Sequence, residues 1–215
     1  RRQRQMCIRD SLFSVRCPAD FIPEGWTPTK SRFSQGLDVD WPQMLKTPVF
    51  WSMWALLLCG AITGMMILSH AQSIGMNVMG LSAATAATGV AFLAFSNTSG
   101  RLLAGVLSDY LGRTRTLALA LTSSIAGLTA LALASADTVP LFYAGLAAVG
   151  LSLGAFMGVY PGFTTQEFGS RHNSVNFALM FMGFSLAGTV GPILMNQLQT
   201  AGFSIACGAA AVIAA

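Results

Sequence analysis

Charge is what this sequence has least of. Only 9% of its 215 residues are Asp, Glu, Lys or Arg, against about 25% in a soluble domain. With 53% hydrophobic residues, that scarcity excludes an ordinary water-soluble fold. Cysteine is nearly as thin. Cys7, Cys17, Cys59 and Cys207 form no CxxC pair and have no histidine partner at metal spacing, which excludes a disulfide framework and a zinc site. Carboxylates are missing from the apolar runs, because every Asp and Glu falls in a loop or near the end of a run. No carboxylate pair, histidine cluster or Ser/His/Asp set stands within a run, so an enzyme is not expected. The net charge of +4 is no nucleic-acid signal either, since the basic residues are spread over alternate loops rather than clustered on one face.

Long apolar runs are abundant. Six recur, at about 49–71, 82–107, 116–135, 139–161, 175–198 and 203–215. The first five are long enough to cross a hydrocarbon core of about 30 Å, and the sixth stops short of that length. Only helices or closed barrels satisfy the backbone in lipid, and these runs are too long and uniformly apolar for barrel strands. The expected fold is therefore an all-α membrane protein with residues 49–215 as its transmembrane domain and a truncated last helix. Residues 1–11, RRQRQMCIRDS, resemble translated sequencing-adaptor sequence and are set outside the fold. Residues 12–48 are polar and proline-rich and read as a loop. Asp40 is positioned to cap a short helix over 41–45, with Pro42 in its first turn. Trp41, Trp51 and Trp54 gather at the entry to the first run, where amphipathic rings favour the headgroup level.

Orientation follows from the links. Arg16, Lys30, Arg32 and Lys46 precede the first run, Arg113 and Arg115 join the second to the third, and Arg171 joins the fourth to the fifth, while the intervening links carry no Lys or Arg. The positive-inside rule assigns the basic side, including 12–48, to the cytoplasm, which makes the protein multi-pass, in a cell (inner or plasma) membrane.

One charge lies inside a run. Arg101 falls in the second, about seven residues before Ser108, roughly 10 Å from the basic boundary. Such a cation faces a water-filled cavity or a partner more often than lipid, at a cost of roughly 2.5–3.5 kcal/mol at a helix centre. No run offers it a carboxylate, so an anionic substrate is the expected counter-ion. The bland alternatives are snorkelling to the interface or pairing with a residue elsewhere. Asn97, Tyr143 and Tyr160 are candidates to line the same cavity, although Tyr160 beside Pro161 also fits a simple helix end. Gly60/Gly64 and Gly154/Gly158 form GxxxG pairs in the first and fourth runs. Ordinary close packing explains each; their placement also fits two three-helix units of inverted topology. Glu167 and Arg171, four apart, read as a surface pair. His70, near the far end of the first run, reads as an interfacial hydrogen-bonding residue rather than a proton carrier.

The stretch Gly105-x-x-x-Asp109-x-x-Gly112-Arg113-x-Arg115 resembles the loop motif of the major facilitator superfamily in its second-half copy. More narrowly the chain is similar to the oxalate:formate antiporter family. The residues that carry this are Pro23-Glu24-Gly25-Trp26-x-Pro28, Trp41-x-x-Met44-Leu45-Lys46-Thr47-Pro48-x-Phe50-Trp51, Asn97-x-x-Gly100-Arg101, Tyr160-Pro161 and Phe168-Gly169. The resemblance implies the six-helix C-terminal half of a twelve-helix fold, with 12–48 as the central cytoplasmic loop. It implies that Arg101 binds a carboxylate, and that Asp109 and Arg113 latch helix ends in one transport state. It implies no cofactor. The partners it implies are a small carboxylate, the lipid bilayer and an N-terminal six-helix half, with no nucleic acid.

The family's oxalate carriers hold a Lys where this sequence has Phe184. That departure counts against a dicarboxylate, and favours a monocarboxylate of the lactate, pyruvate or formate class. Animal monocarboxylate carriers, also similar, place an Asp four residues before the matching Arg; here Asn97 stands there and cannot titrate. Anion exchange, or a proton site in the other half, both stay open. The rival class is a stand-alone six-helix membrane protein acting as a homodimer or packing partner.

Overall fold

The structure, a computed structural model, describes residues 38–199 and 202–214. The readings for residues 1–37 lie outside the described residues. Seven helices occur among the described residues: α1 (Trp41–Met44), α2 (Pro48–Asn77), α3 (Ala83–Leu111), α4 (Arg113–Leu133), α5 (Val139–Phe168), α6 (Asn173–Gln199) and α7 (Phe203–Ala214). Five of them, α2 to α6, are long and apolar enough to cross a membrane. α7 has 12 residues, about 18 Å of rise, short of the hydrocarbon thickness.

Local chemistry sets the helix starts. Asp40 accepts from the Trp41 amide at 2.8 Å and caps α1, with Pro42 in the first turn. Thr47 accepts from the Phe50 amide and Pro48 follows at the first helical position of α2, where a missing N–H costs nothing. Ser82 caps α3 by accepting from Thr85 at 3.2 Å. Gly112 joins α3 directly to α4 at φ 85°, a left-handed position where a side chain would be strained.

Two helices form the centre. α2 and α5 have 50% and 56% of their most apolar stretch buried, against 22% for each of α3 and α6. The most extensive packing is α3 on α5, α4 on α5 and α2 on α6, and α2 also meets α5. α2 also packs on α3, and α4 packs on α7. Exchanging α2 with α5 and α3 with α6 maps the α3–α5 packing onto the α2–α6 packing, whereas α4 packs on α5 far more extensively than α7 on α2. The first correspondence fits two three-helix units of inverted topology. The two GxxxG pairs, however, do different work. A Cβ on Gly60 or Gly64 would meet the side chains of Phe156 and Leu153, whereas Gly154 and Gly158 face the backbone of α3.

Lys46, Arg113, Arg115 and Arg171 all belong to one end of the bundle, called the basic end below. A strap closes it. The Val39 amide donates to the Phe168 carbonyl at 2.9 Å, Asn176 Nδ2 donates to the Val39 carbonyl at 2.9 Å, and the Arg171 amide donates to Asp38 Oδ1 at 3.2 Å. The segment before α1 is thereby fixed to the α5–α6 turn.

Candidate functional site

Arg101 stands on α3, ten residues before the helix ends at Leu111, roughly 15 Å along the axis. Its side chain is exposed, and its Nε donates to Asn97 Oδ1 at 3.2 Å, one turn earlier. A neutral amide orients the guanidinium without cancelling its charge. Small residues on α5 fix the backbone beneath. A Cβ on Gly154 would collide with the Asn97 carbonyl oxygen and lie 3.0 Å from the Arg101 nitrogen; one on Gly158 would lie 2.7 Å from the Arg101 carbonyl oxygen. Gly150, one turn before, seats α3 at Leu93 and Ser96 in the same way. α5 therefore carries a three-turn glycine row against the segment that presents Asn97 and Arg101. The spacing of Gly154 and Gly158 was visible in the sequence; which backbone they receive was not.

The other candidates do not gather round Arg101. Phe184 is half-buried on α6, stacked on Phe181 with ring centroids 5.0 Å apart, and packs against both core clusters. α2, which packs on both, lies between its helix and α3. Tyr143 donates to the Thr85 carbonyl at 3.3 Å and lies 3.2 Å from Thr88 Oγ1. Thr88 is thirteen residues from Arg101, roughly 20 Å along α3, so Tyr143 belongs to the opposite end. Tyr160 corrects both readings made of it. α5 runs through Pro161 to Phe168, so no helix ends there. The ring is 1% exposed, stacks on Phe156, and donates its hydroxyl to the Met53 carbonyl of α2 at 2.8 Å. It ties the two central helices together and lines no open cavity. Tyr160→Phe is expected to lower stability by about 1 kcal/mol, the net value of one buried hydrogen bond, with substrate affinity unchanged; thermal unfolding in detergent beside a binding titration checks both. His70 is held by its neighbour, with Nδ1 at 2.8 Å from Ser69 Oγ.

The loop motif forms a second cluster at the basic end. Asp109 and Arg115 are exposed and Arg113 is half-buried. The Arg113 guanidinium lies over Gly162 of α5, where an added Cβ would be 2.9 Å from its Cζ. Asp109 and Glu167 both attract it. Glu167, read from spacing as the surface partner of Arg171, also attracts Arg113 from α5, and the Arg171 backbone amide donates to Asp38. Gly105 has open space around its Cα: an added Cβ would meet nothing within 4 Å.

A charged residue held in mid-helix, a two-helix turn closed by glycine at φ 85°, and acid–base groups gathered at one end of paired three-helix units fit one family. Residues 14–192 match the family model of the Major Facilitator Superfamily. The chain belongs to the major facilitator superfamily. It is a multi-pass integral membrane protein. It is 27% identical over 144 residues to an uncharacterized MFS-type transporter, YhjX, of Escherichia coli (strain K12), covering 67% of this chain and 36% of that one. It is 25% identical over 163 residues to the oxalate:formate antiporter of Oxalobacter formigenes, covering 74% and 38%. It is 30% identical over 153 residues to an uncharacterized 38 kDa protein in a 23S RNA operon of Thermoproteus tenax, covering 71% and 38%. The matches span little more than a third of each of these relatives.

Proposed function

We infer that this chain is the C-terminal half of a secondary transporter of small organic anions, working by alternating access in a cell membrane with its basic end in the cytoplasm. The substrate is a monocarboxylate of the lactate, pyruvate or formate class, and Arg101 binds its carboxylate. The observation that carries this reading is the Arg101 side chain, exposed in mid-helix with a neutral amide as its hydrogen-bond partner. A cation placed there needs a counter-charge, and a carboxylate substrate supplies one. Asp109, Arg113 and Glu167 act as a latch between helix ends, since opposite charges at a bundle end can be made and broken between states. The similarity to the oxalate:formate antiporter supports anion exchange rather than proton coupling, as does the amide at Asn97, which cannot carry a proton.

Phe184 stands on α6, apart from Arg101, and the choice within the anions rests on the resemblance that puts a Lys there in the family's oxalate carriers. A phenyl ring suits the apolar part of a monocarboxylate, and a cation there would hold a second carboxylate. Phe184→Lys in the full-length transporter is expected to raise uptake of oxalate relative to lactate by about tenfold, the yield of one charge-assisted contact. Competition between the two labelled acids in vesicles checks it, with the amount of folded protein held equal. An unchanged preference removes Phe184 from the substrate path and reopens the dicarboxylate reading.

A further inference from the structure

The geometry points to a binding site for an anionic phospholipid along the α3–α4 seam, with the phosphate at the α3–α4 turn and an acyl chain in the groove above it. The turn holds a cavity of about 410 Å³ of mixed polar and apolar lining, formed by Arg113, Arg115, Thr114, Gln166, Tyr110 and Leu111 around Gly112. Two arginines face it, and Arg113 Nη1 is buried with no hydrogen-bond partner. The floor is the start of α4, a 21-residue helix whose cap, Gly112, has no side chain and whose first turn has no acid. Its first amides have no acceptor within the helix and point outward with the positive end of the dipole. Asp109 and Glu167 offset part of the Arg113 charge, so Arg115, exposed at the rim, carries the net attraction. The side-chain oxygen Oε1 of Gln166 is also buried without a partner, and a rotation of the side chain would turn it toward a hydroxyl-bearing headgroup such as glycerol.

A second cavity separates a lipid from a free anion. About one turn further into the bundle on the same helices lies an apolar groove of about 170 Å³, lined by Leu103, Leu107, Thr116, Leu119 and Ala120 among others. Leu103 and Leu119 are 62% and 50% exposed, so the groove opens outward. A pocket with two arginines at the membrane boundary, and an apolar groove about one turn deeper on the same helices, match a phospholipid better than a soluble phosphate. Basic pockets between helices on the cytoplasmic side are where anionic headgroups bind. The site does not depend on which solute is carried, but it shares Arg113 with the proposed latch.

The test is thermal unfolding of the full-length protein in detergent, titrated with dioleoylphosphatidylglycerol, dioleoylphosphatidylcholine or inorganic phosphate. The expected result is saturable stabilisation by phosphatidylglycerol, none by the choline lipid or by phosphate, and a half-saturating concentration about fivefold higher for Arg115→Gln. Lys46→Gln, at the same end but outside the pocket, keeps the full effect. Should Arg115→Gln fail to fold, Gln166→Leu serves, with a weaker response to phosphatidylglycerol expected. Equal stabilisation by both lipids, or a full response in Arg115→Gln and Gln166→Leu, overturns the site. So does an equal loss in Lys46→Gln, which leaves only general attraction to a basic surface. Equal stabilisation by inorganic phosphate overturns the lipid and leaves a free-anion pocket.

Discussion

Replacing Arg101 by Gln is expected to weaken carboxylate binding by about a hundredfold, while the protein folds as before. The first half of that expectation is electrostatic. Removing one partner of a desolvated ion pair leaves the other charge unpaired, at a cost of about 2–5 kcal/mol, and about 2.8 kcal/mol corresponds to a hundredfold in affinity. The second half rests on position. Arg101 is exposed and its side chain's hydrogen bond runs to Asn97, so its removal opens no cavity. Arg101→Lys keeps the charge but loses the planar fork that grips two carboxylate oxygens together, and falls between the two, about tenfold weaker than wild type. Equilibrium binding of labelled substrate to the purified full-length protein, with unfolding temperature measured alongside, separates loss of affinity from loss of fold. Equal affinities in wild type and Arg101→Gln make the arginine structural.

Gly154→Val is expected to prevent stable folding. An added Cβ meets the Asn97 carbonyl, the carbonyl carbon at 2.9 Å and the Arg101 nitrogen at 3.0 Å. All three are backbone atoms, which cannot swing aside as a side chain can, so α3 and α5 must separate along their most extensive contact. Overpacking of this kind costs about 1–3 kcal/mol and sometimes more, and branching adds to it. Gly105→Ala is the matched control. That glycine belongs to the loop motif, yet a Cβ there meets nothing within 4 Å and its φ is not positive; its effect on stability is expected to stay within about 0.5 kcal/mol. Fluorescence-detected size-exclusion before and after heating distinguishes the two. A monodisperse, heat-stable Gly154→Val contradicts the close approach of α3 to α5.

The spans were legible because a bilayer imposes a minimum length on apolar runs, and little else in a sequence produces such runs repeatedly. The capped start at Asp40 was legible for a related reason: a cap is a contact within one turn. Helix ends were less so. α2 continues to Asn77 and α5 to Phe168, beyond the apolar runs, because hydropathy marks where lipid stops and the helical backbone goes on past it. Arg101 with Asn97 could be read from four-residue spacing on one helix. Tyr160 could not, since its acceptor is the Met53 carbonyl, a backbone group that leaves no mark on the sequence. Glu167 misled for the same kind of reason. Spacing showed Arg171 four residues away, but not the attraction to Arg113, which comes from another helix. The glycines of α5 showed that something approaches closely, but only the packing shows that it is the segment bearing the candidate substrate residue.

The account turns on whether a carboxylate crosses the membrane by way of Arg101. The direct measurement is uptake of labelled lactate, pyruvate, formate and oxalate into vesicles holding equal amounts of folded wild-type and Arg101→Gln full-length protein, with neutral lactamide as competitor. The predicted result is uptake of a monocarboxylate by wild type, little of it in the variant, and no competition from lactamide. Normal uptake by Arg101→Gln, or effective competition by the neutral amide, contradicts an anion held by that arginine.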